Sequence, residues 1–248
     1  MRLQVQRGAK RERLELSMTG EKLQQAERPS LELRDDQIAV RHIKTFLIQG
    51  TGAIIHQLIK TALDNNVRGL VINLRGTSGG SALESLAAIG AFIEQPQTLR
   101  IVPRYDADAN RIELGYATAQ AFVRVNGTAA ENLEIKNPVL FKGPLAVLVD
   151  GGCASACEFL PIYIQKNNRG KVYGTPTVGV GNTNTQLFPL LNGGAVNFPT
   201  VQIHWADGSG RLPARSQPDT LTPNFLFEHF SSGLDVPLER AITELNGK

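Results

Sequence analysis

GPLAVLVDGGCASACEFLP, residues 143–161, is the stretch on which the fold turns. Residues 145–149 are apolar without a break and too few for a capped helix, so both faces are buried and the segment is a central strand. Gly151 and Gly152 permit a sharp reversal, after which residues up to 165 continue as a helix. Upstream, GLVINL (Gly69–Leu74) has the same buried character apart from Asn73. Downstream, KVYG (171–174) supplies a third strand. Strand, helix, strand, helix, strand requires right-handed crossovers and a parallel or mixed sheet.

The chain has 248 residues, 42% of them hydrophobic and 20% charged, with a formal net charge of +3. This material suffices for one large domain and excludes a disordered chain. No apolar run reaches the length of a membrane span, and the N-terminus lacks the apolar segment of a secretory signal. Two cysteines make no disulfide framework. The basic stretch Arg2 to Lys22 is interleaved with Glu12, Glu15 and Glu21, which marks a solvated surface rather than a phosphate-binding patch, so no nucleic-acid partner is expected.

Leu3, Val5, Leu14 and Leu16 alternate around a Gly8 turn as a hairpin, and Leu31 to Ile43 form a second one turning at Asp35 and Asp36. Ile54, Ile55, Leu58, Ile59, Ala62 and Leu63 predict an amphipathic helix over 51–65 with Thr51 as N-cap. Residues 81–94 predict another, behind the loop RGTSGG (75–80). The short β-like runs of 97–142 are expected to form a surface insertion. From 186 the pattern is again β, turning at Asn192, Gly193 and Gly194, and a last helix starts at Asp235 with Pro237 in its first turn.

Chemistry is concentrated at the reversal. Ser155 opens the second helix beside amides that lack intrahelical partners, at the positive end of the helix dipole, a setting that suits an oxyanion formed in acyl transfer. SerGlyGly at 78–80 follows the other central strand and ends at the same sheet edge. The residues alone favour a plain helix start with turn-forming glycines, since glycine turns after strands are common. Cys153 and Cys157 flank Ser155 at helical i, i+4 spacing. The reading adopted is two small apolar side chains packed under the elbow, with a reactive thiol or a disulfide as alternatives. No metal site is expected, because no histidine stands at ligand spacing. The sequon Asn126, Gly127, Thr128 acquires meaning only in a glycosylating host.

IAVRHIKTF with GLVINLRGTSGG, then GPLAVLVDGGCASACEFLP, then GKVYGTPTVGVGNT, then ADGSGRLPARSQPD, in order from about residue 38 to 219, resemble the successive signatures of the carboxyl-terminal processing (tail-specific) serine peptidases and their tricorn-core relatives. The resemblance implies an α/β fold of the crotonase or ClpP kind over residues 31–248, a mainly parallel sheet flanked by helices with a β insertion at about 97–142. Residues 1–30 are similar to the last strands of the PDZ module that precedes this core, so the chain reads as part of a longer protein. It further implies Ser155 as nucleophile, the amides of Ala156 and of Gly80, or less directly Gly79, as oxyanion hole, and Glu158 and Thr177 as supporting residues. For Glu158 a plain role as a first-turn helix carboxylate is the alternative.

One departure is chemical. The tail-specific branch draws its base from a lysine in a Gly-Lys-Gly loop, where this chain has Gly179, Val180, Gly181. Valine accepts no proton, and a positioned base typically contributes ~10²- to 10⁴-fold. The tricorn-like branch uses instead a histidine before the PDZ region and a downstream glutamate, and RLPARSQPD contains no glutamate. Within the chain the remaining candidates are His42, His56, His204 and His229, of which His204, on the strand before the ADGSG turn, is preferred. The expected activity is serine endopeptidase action on unfolded or C-terminal peptide segments without a cofactor. A silent relative that binds peptide or a small apolar ligand in the same cleft is the alternative. By resemblance the parent protein is expected outside the cytoplasm, with a cytosolic setting as the tricorn-like option; the sequence does not specify an oligomer.

Overall fold

The computed structural model describes residues 2–7, 12–17, 19, 27–104, 110–117, 119–222 and 233–247. All five residues of the strand Leu145–Val149 are buried. On one side it pairs in parallel with Gly69–Asn73, Leu145 opposite Leu70, and on the other with Lys171–Gly174, Ala146 opposite Lys171. In chain order these are β5 (Gly69–Asn73), β10 (Leu145–Val149) and β11 (Lys171–Gly174). With β3 (Ser30–Leu33), β4 (Ile38–His42) and β15 (Thr220–Leu221) they complete a sheet ordered β15-β11-β10-β5-β4-β3, parallel except for β3. The adjacency of the two central strands is the one expected.

Strands buried on both faces need apolar residues at every position, because alternate side chains serve opposite layers. Ala39, Leu70, Ile72, Leu145, Val147 and Val149 face the core that contains Ile55 and Ile59 of α1 (Thr51–Asp64), Leu86 of α2 (Ala82–Ile89) and Leu160 of α3 (Ala156–Lys166). Ile38, Val40, Val71, Ala146 and Leu148 face Ala241, Ile242 and Leu245 of α4 (Val236–Asn246). As the sequence suggests, Asp235 caps α4, accepting from the Leu238 amide with Pro237 in the first turn.

Three expectations need correction. The region 97–142 is not a surface insertion. Its strands β6 (Gln97–Pro103), β7 (Ile112–Ala117), β8 (Gln120–Val125) and β9 (Thr128–Glu134) join β14 (Val201–Trp205) in an antiparallel sheet. Leu99, Leu114, Tyr116 and Ala121 are buried in the same core as α2 and α3, and Tyr163 of α3 packs between Tyr116 and Trp205 at 5.9 and 4.8 Å. The outward residues Arg100 and Arg124, at alternate positions, give this stretch its surface-like composition. Helix α2 stops at Ile89 with Gly90 as its C-cap, five residues short of the expected end. Finally, α1 is capped at Gly50, with φ 85°, and not by Thr51, which is buried. The cap comes from another helix: the buried Glu84 carboxylate of α2 accepts from the amides of Gly50 and Gly52, both at 2.7 Å.

The hairpin β12 (Thr185–Pro189) and β13 (Ala195–Pro199) turns at the expected Asn-Gly-Gly. The N-terminal hairpin β1 (Arg2–Arg7) and β2 (Glu12–Ser17) pairs Arg2 with Ser17; the Gly8 turn lies outside the described residues, as does part of the basic stretch. Among the described residues no helix is long and apolar enough to cross a membrane.

Candidate active site

The parallel strands β5 and β10 deliver two loops to one edge of the sheet, residues 74–81 and 150–155. Asp150 joins them: its Oδ1 accepts from the amides of Gly76 and Gly152, both at 2.9 Å. The sequence reading missed this clamp, although Asp-Gly-Gly after a buried strand is the signature of an Asx turn. The Ala154 amide donates to Thr77 O at 3.1 Å, and the Phe46 amide to Gly79 O at 2.8 Å, so the glycine loop is fixed on both sides.

At the elbow Ser155 is exposed and has φ 57° and ψ −126°, a conformation that side-chain-bearing residues rarely adopt and that costs about 1–3 kcal/mol. Only a surrounding network can hold it. Cys153 and Cys157 are joined in a disulfide with a Cα separation of 5.6 Å, so the apolar-pair reading gives way to the disulfide alternative. The separation lies within the range that permits a bridge. Both cysteines are fully buried.

Glu158 lies one turn into α3 and is fully buried, yet its carboxylate accepts four hydrogen bonds. They come from Ser155 N at 3.0 Å, Thr177 Oγ1 at 2.6 Å, Gly179 N at 2.8 Å and Val180 N at 2.9 Å. The carboxylate thus ties the loop after β11 to the elbow, and one oxygen, Oε2, is shared by the amides of Ser155 and Val180. Thr177 Oγ1 also accepts from Ser216 N at 3.0 Å. Ser155, Glu158, Thr177 and Val180 are therefore brought together. Gly79 is there too: a Cβ on it would lie 3.0 Å from Ser155 Cβ and 3.3 Å from Ala156 N, whereas one on Gly80 would strike the backbone of Phe46 and Leu47. Among the described residues the amides of Gly79, Gly80 and Ala156 donate no hydrogen bond.

None of the described histidines hydrogen-bonds Ser155. His56 Nδ1 lies 3.0 Å from both the amide nitrogen and the carbonyl oxygen of Val139, and Nε2 lies 3.0 Å from Ala87 O; burial lowers this pKa, and the ring bridges the core between two backbone segments. His42 Nδ1 faces Asn73 Nδ2 at 3.2 Å. His204, on β14 of the second sheet, has Nε2 3.4 Å from Gln202 Oε1. His229 lies outside the described residues. Among the described residues Glu158 is the one titratable side chain that hydrogen-bonds any atom of Ser155, and no group of three or more His, Cys, Asp or Glu could hold a metal ion. Asp219 binds the Val172 amide at 2.7 Å and Gln165 Nε2 at 3.2 Å, where β11 begins and α3 ends, and so organises the sheet away from the elbow.

A sequence model described as peptidase family S41 matches residues 37–221. Carboxyl-terminal-processing peptidase 2, chloroplastic, of Arabidopsis thaliana is 30% identical over 145 residues, which is 58% of this chain and 24% of that protein. The carboxy-terminal-processing protease of Bartonella bacilliformis is 25% identical over 185 residues, 74% of this chain and 37% of its own length. In fold, the solved structure of the photosystem II D1 C-terminal processing protease aligns with a TM-score of 0.58 at 16% identity, over 90% of this chain and 56% of that one. The chain thus spans between a quarter and two fifths of the length of these curated relatives.

Proposed function

The chain belongs to peptidase family S41, and from that premise we propose that it is the core of a serine endopeptidase with Ser155 as nucleophile. The observation that carries the reading is the backbone of Ser155: an exposed serine held at φ 57° on a strand-to-helix elbow. Strain of this kind presents a hydroxyl outward and persists where the surrounding structure over-determines it. The undonated amides of Ala156 and of Gly80 or Gly79 support an oxyanion hole, and Glu158 and Thr177 keep the elbow and the Val180 loop in register. His204 is the base candidate within the chain, although its ring nitrogen faces Gln202 and makes no hydrogen bond to Ser155, and a base contributed by the rest of a longer protein is the competing source.

The substrates would be unfolded or C-terminal polypeptide segments bound as an added strand. We assign the core to the crotonase or ClpP kind and residues 1–30 to the end of a PDZ-like module, a reading supported by β1 and β2 pairing only with each other among the described residues. The disulfide supports work in an oxidising compartment outside the cytoplasm.

The test is labelling by a fluorophosphonate alongside casein hydrolysis. Labelling and hydrolysis that both vanish in Ser155→Ala support the peptidase. Retained casein binding with no labelling of the wild type supports the silent, peptide-binding relative instead.

A further inference from the structure

The disulfide encloses the residue on which the proposed function depends. Only Ala154, Ser155 and Ala156 separate the linked cysteines, and Ser155 is the middle one. We infer that the Cys153–Cys157 bond is the positioning element of the nucleophile, so that the peptidase works with the bond closed and loses its poise when a dithiol opens it. This rests on the reading of Ser155 as nucleophile.

A serine at the start of a helix ordinarily takes an extended backbone and turns its hydroxyl onto the amides of the first turn. In that state the hydroxyl satisfies the helix instead of facing a substrate. Ser155 is kept out of that extended backbone, at φ 57° and ψ −126°, by two restraints. Glu158 holds its amide. The disulfide fixes the backbone on both sides, from Cys153, whose own N–H and C=O are engaged by Asp150 O and Val178 N, to Cys157 in the first turn of α3. The enclosed ring is very short, and the stabilisation a cross-link gives by restricting the unfolded chain grows with ring size. A bond so placed therefore does little for the fold as a whole and much for the dihedrals inside it.

Opening is a two-electron exchange. A thiolate of the dithiol attacks one cysteine sulfur, the S–S bond breaks, and the electron pair leaves on the other sulfur, which takes a proton. The reagent's second thiol then resolves the mixed disulfide, releasing the second cysteine as a thiol and the reagent as its own disulfide. Both cysteines are buried, so exchange proceeds through local opening of the elbow from the exposed Gly151–Gly152 side. A chain still in a reducing compartment would be idle, and oxidation would switch it on.

The experiment uses the full chain and a fluorophosphonate probe, with Ser155→Ala as the blank. The maximal labelling rate and the half-saturating probe concentration are measured for the oxidised protein, for protein reduced with dithiothreitol and counted for free thiols, for the same sample reoxidised with glutathione disulfide, and for Cys153→Ala/Cys157→Ala. The expected result is a fall of about tenfold or more in the maximal rate on reduction, as the strained conformer becomes a minor population. The half-saturating concentration should hold and the unfolding temperature should fall by no more than about 4–8 °C, the small stabilisation that so short a ring contributes; reoxidation should restore the rate, and the double variant should be slow and indifferent to dithiothreitol. Equal rates for the oxidised and reduced protein overturn the inference. If the wild type resists reduction, the double variant decides, and wild-type labelling by it overturns the inference. Unfolding on reduction overturns it too, since the bond would then serve the fold rather than the nucleophile. Absence of labelling in every form instead defeats the reading of Ser155 as a nucleophile poised within this chain, and the inference with it.

Discussion

Glu158 is a buried carboxylate whose four donors come from two segments, the elbow and the loop 177–180, and its contribution is correspondingly specific. Glu158→Gln replaces one acceptor oxygen by an NH2 that must face an amide donor. The expected cost is about 3 kcal/mol, seen as a lower denaturant midpoint, with casein hydrolysis falling as the Val180 loop loosens. Val180→Lys tests the neighbouring position. Its amide shares an oxygen with that of Ser155, so an amine there can reach the elbow, and a rise in casein hydrolysis is expected. The rise should be modest, because the site is 42% exposed and little desolvation lowers the amine's pKa. Comparing wild type, Val180→Lys and His204→Ala side by side separates the sources of the base: with His204 as base, His204→Ala abolishes activity and the added ammonium depresses it. The placement of Ser155 at an exposed strand-to-helix elbow was legible in the sequence because strand, glycines and small polar residue are contiguous. A supporting role for Glu158 came only from the resemblance, and its loop partners were not readable, since they lie 19 to 22 residues downstream in a segment without periodicity.

At the scale of elements, buried strands and their order were readable because unbroken apolar runs of five or so residues leave no exposed face. Caps supplied from a distance were not. Nothing near Thr51 reveals that Glu84, on the next helix, satisfies the first amides of α1. Glu84→Ala is therefore expected to cost about 1–2 kcal/mol and to speed amide hydrogen exchange selectively in the first turn of α1; unchanged exchange there would show that water caps the helix equally well. The sheet β14-β6-β7-β8-β9 was misjudged for a related reason. Alternating polar positions look the same on a free surface insertion and on a sheet whose inner face packs on α2, and the sequence does not show which helix lies beneath.

At the scale of the whole molecule the largest liability is Arg41 on β4. It is fully buried, all three guanidinium nitrogens lack a hydrogen-bond partner among the described residues, and loss of hydration alone lowers its pKa to about 9. An unfolded chain keeps this proton to far higher pH, so burial of the cation penalises the folded state in full below about 9 and progressively less as pH rises above it. Burial raises the pKa of Tyr116, Tyr163 and Tyr173, which works the other way: above the ordinary phenol range the unfolded chain ionises first and stability falls. Arg41→Met is expected to be more stable than wild type at pH 7 by about 2 kcal/mol, or roughly 4–8 °C in Tm, with the gap narrowing between pH 9 and 10. Melts at pH 7 and pH 10 measure it, and a lower Tm for the variant at pH 7 would mean that the guanidinium has found an anion. The register of β5 against β10 carries a different consequence, one of timing. The inner neighbour of β5 is separated from it in sequence by α2 and four strands of the second sheet. During synthesis at about 5–20 residues per second, β5 waits several seconds with that edge bare. In that interval the nascent chain offers an apolar template to any other unfinished strand, so growth temperature and chaperone supply should govern the yield of folded protein more than its final stability does.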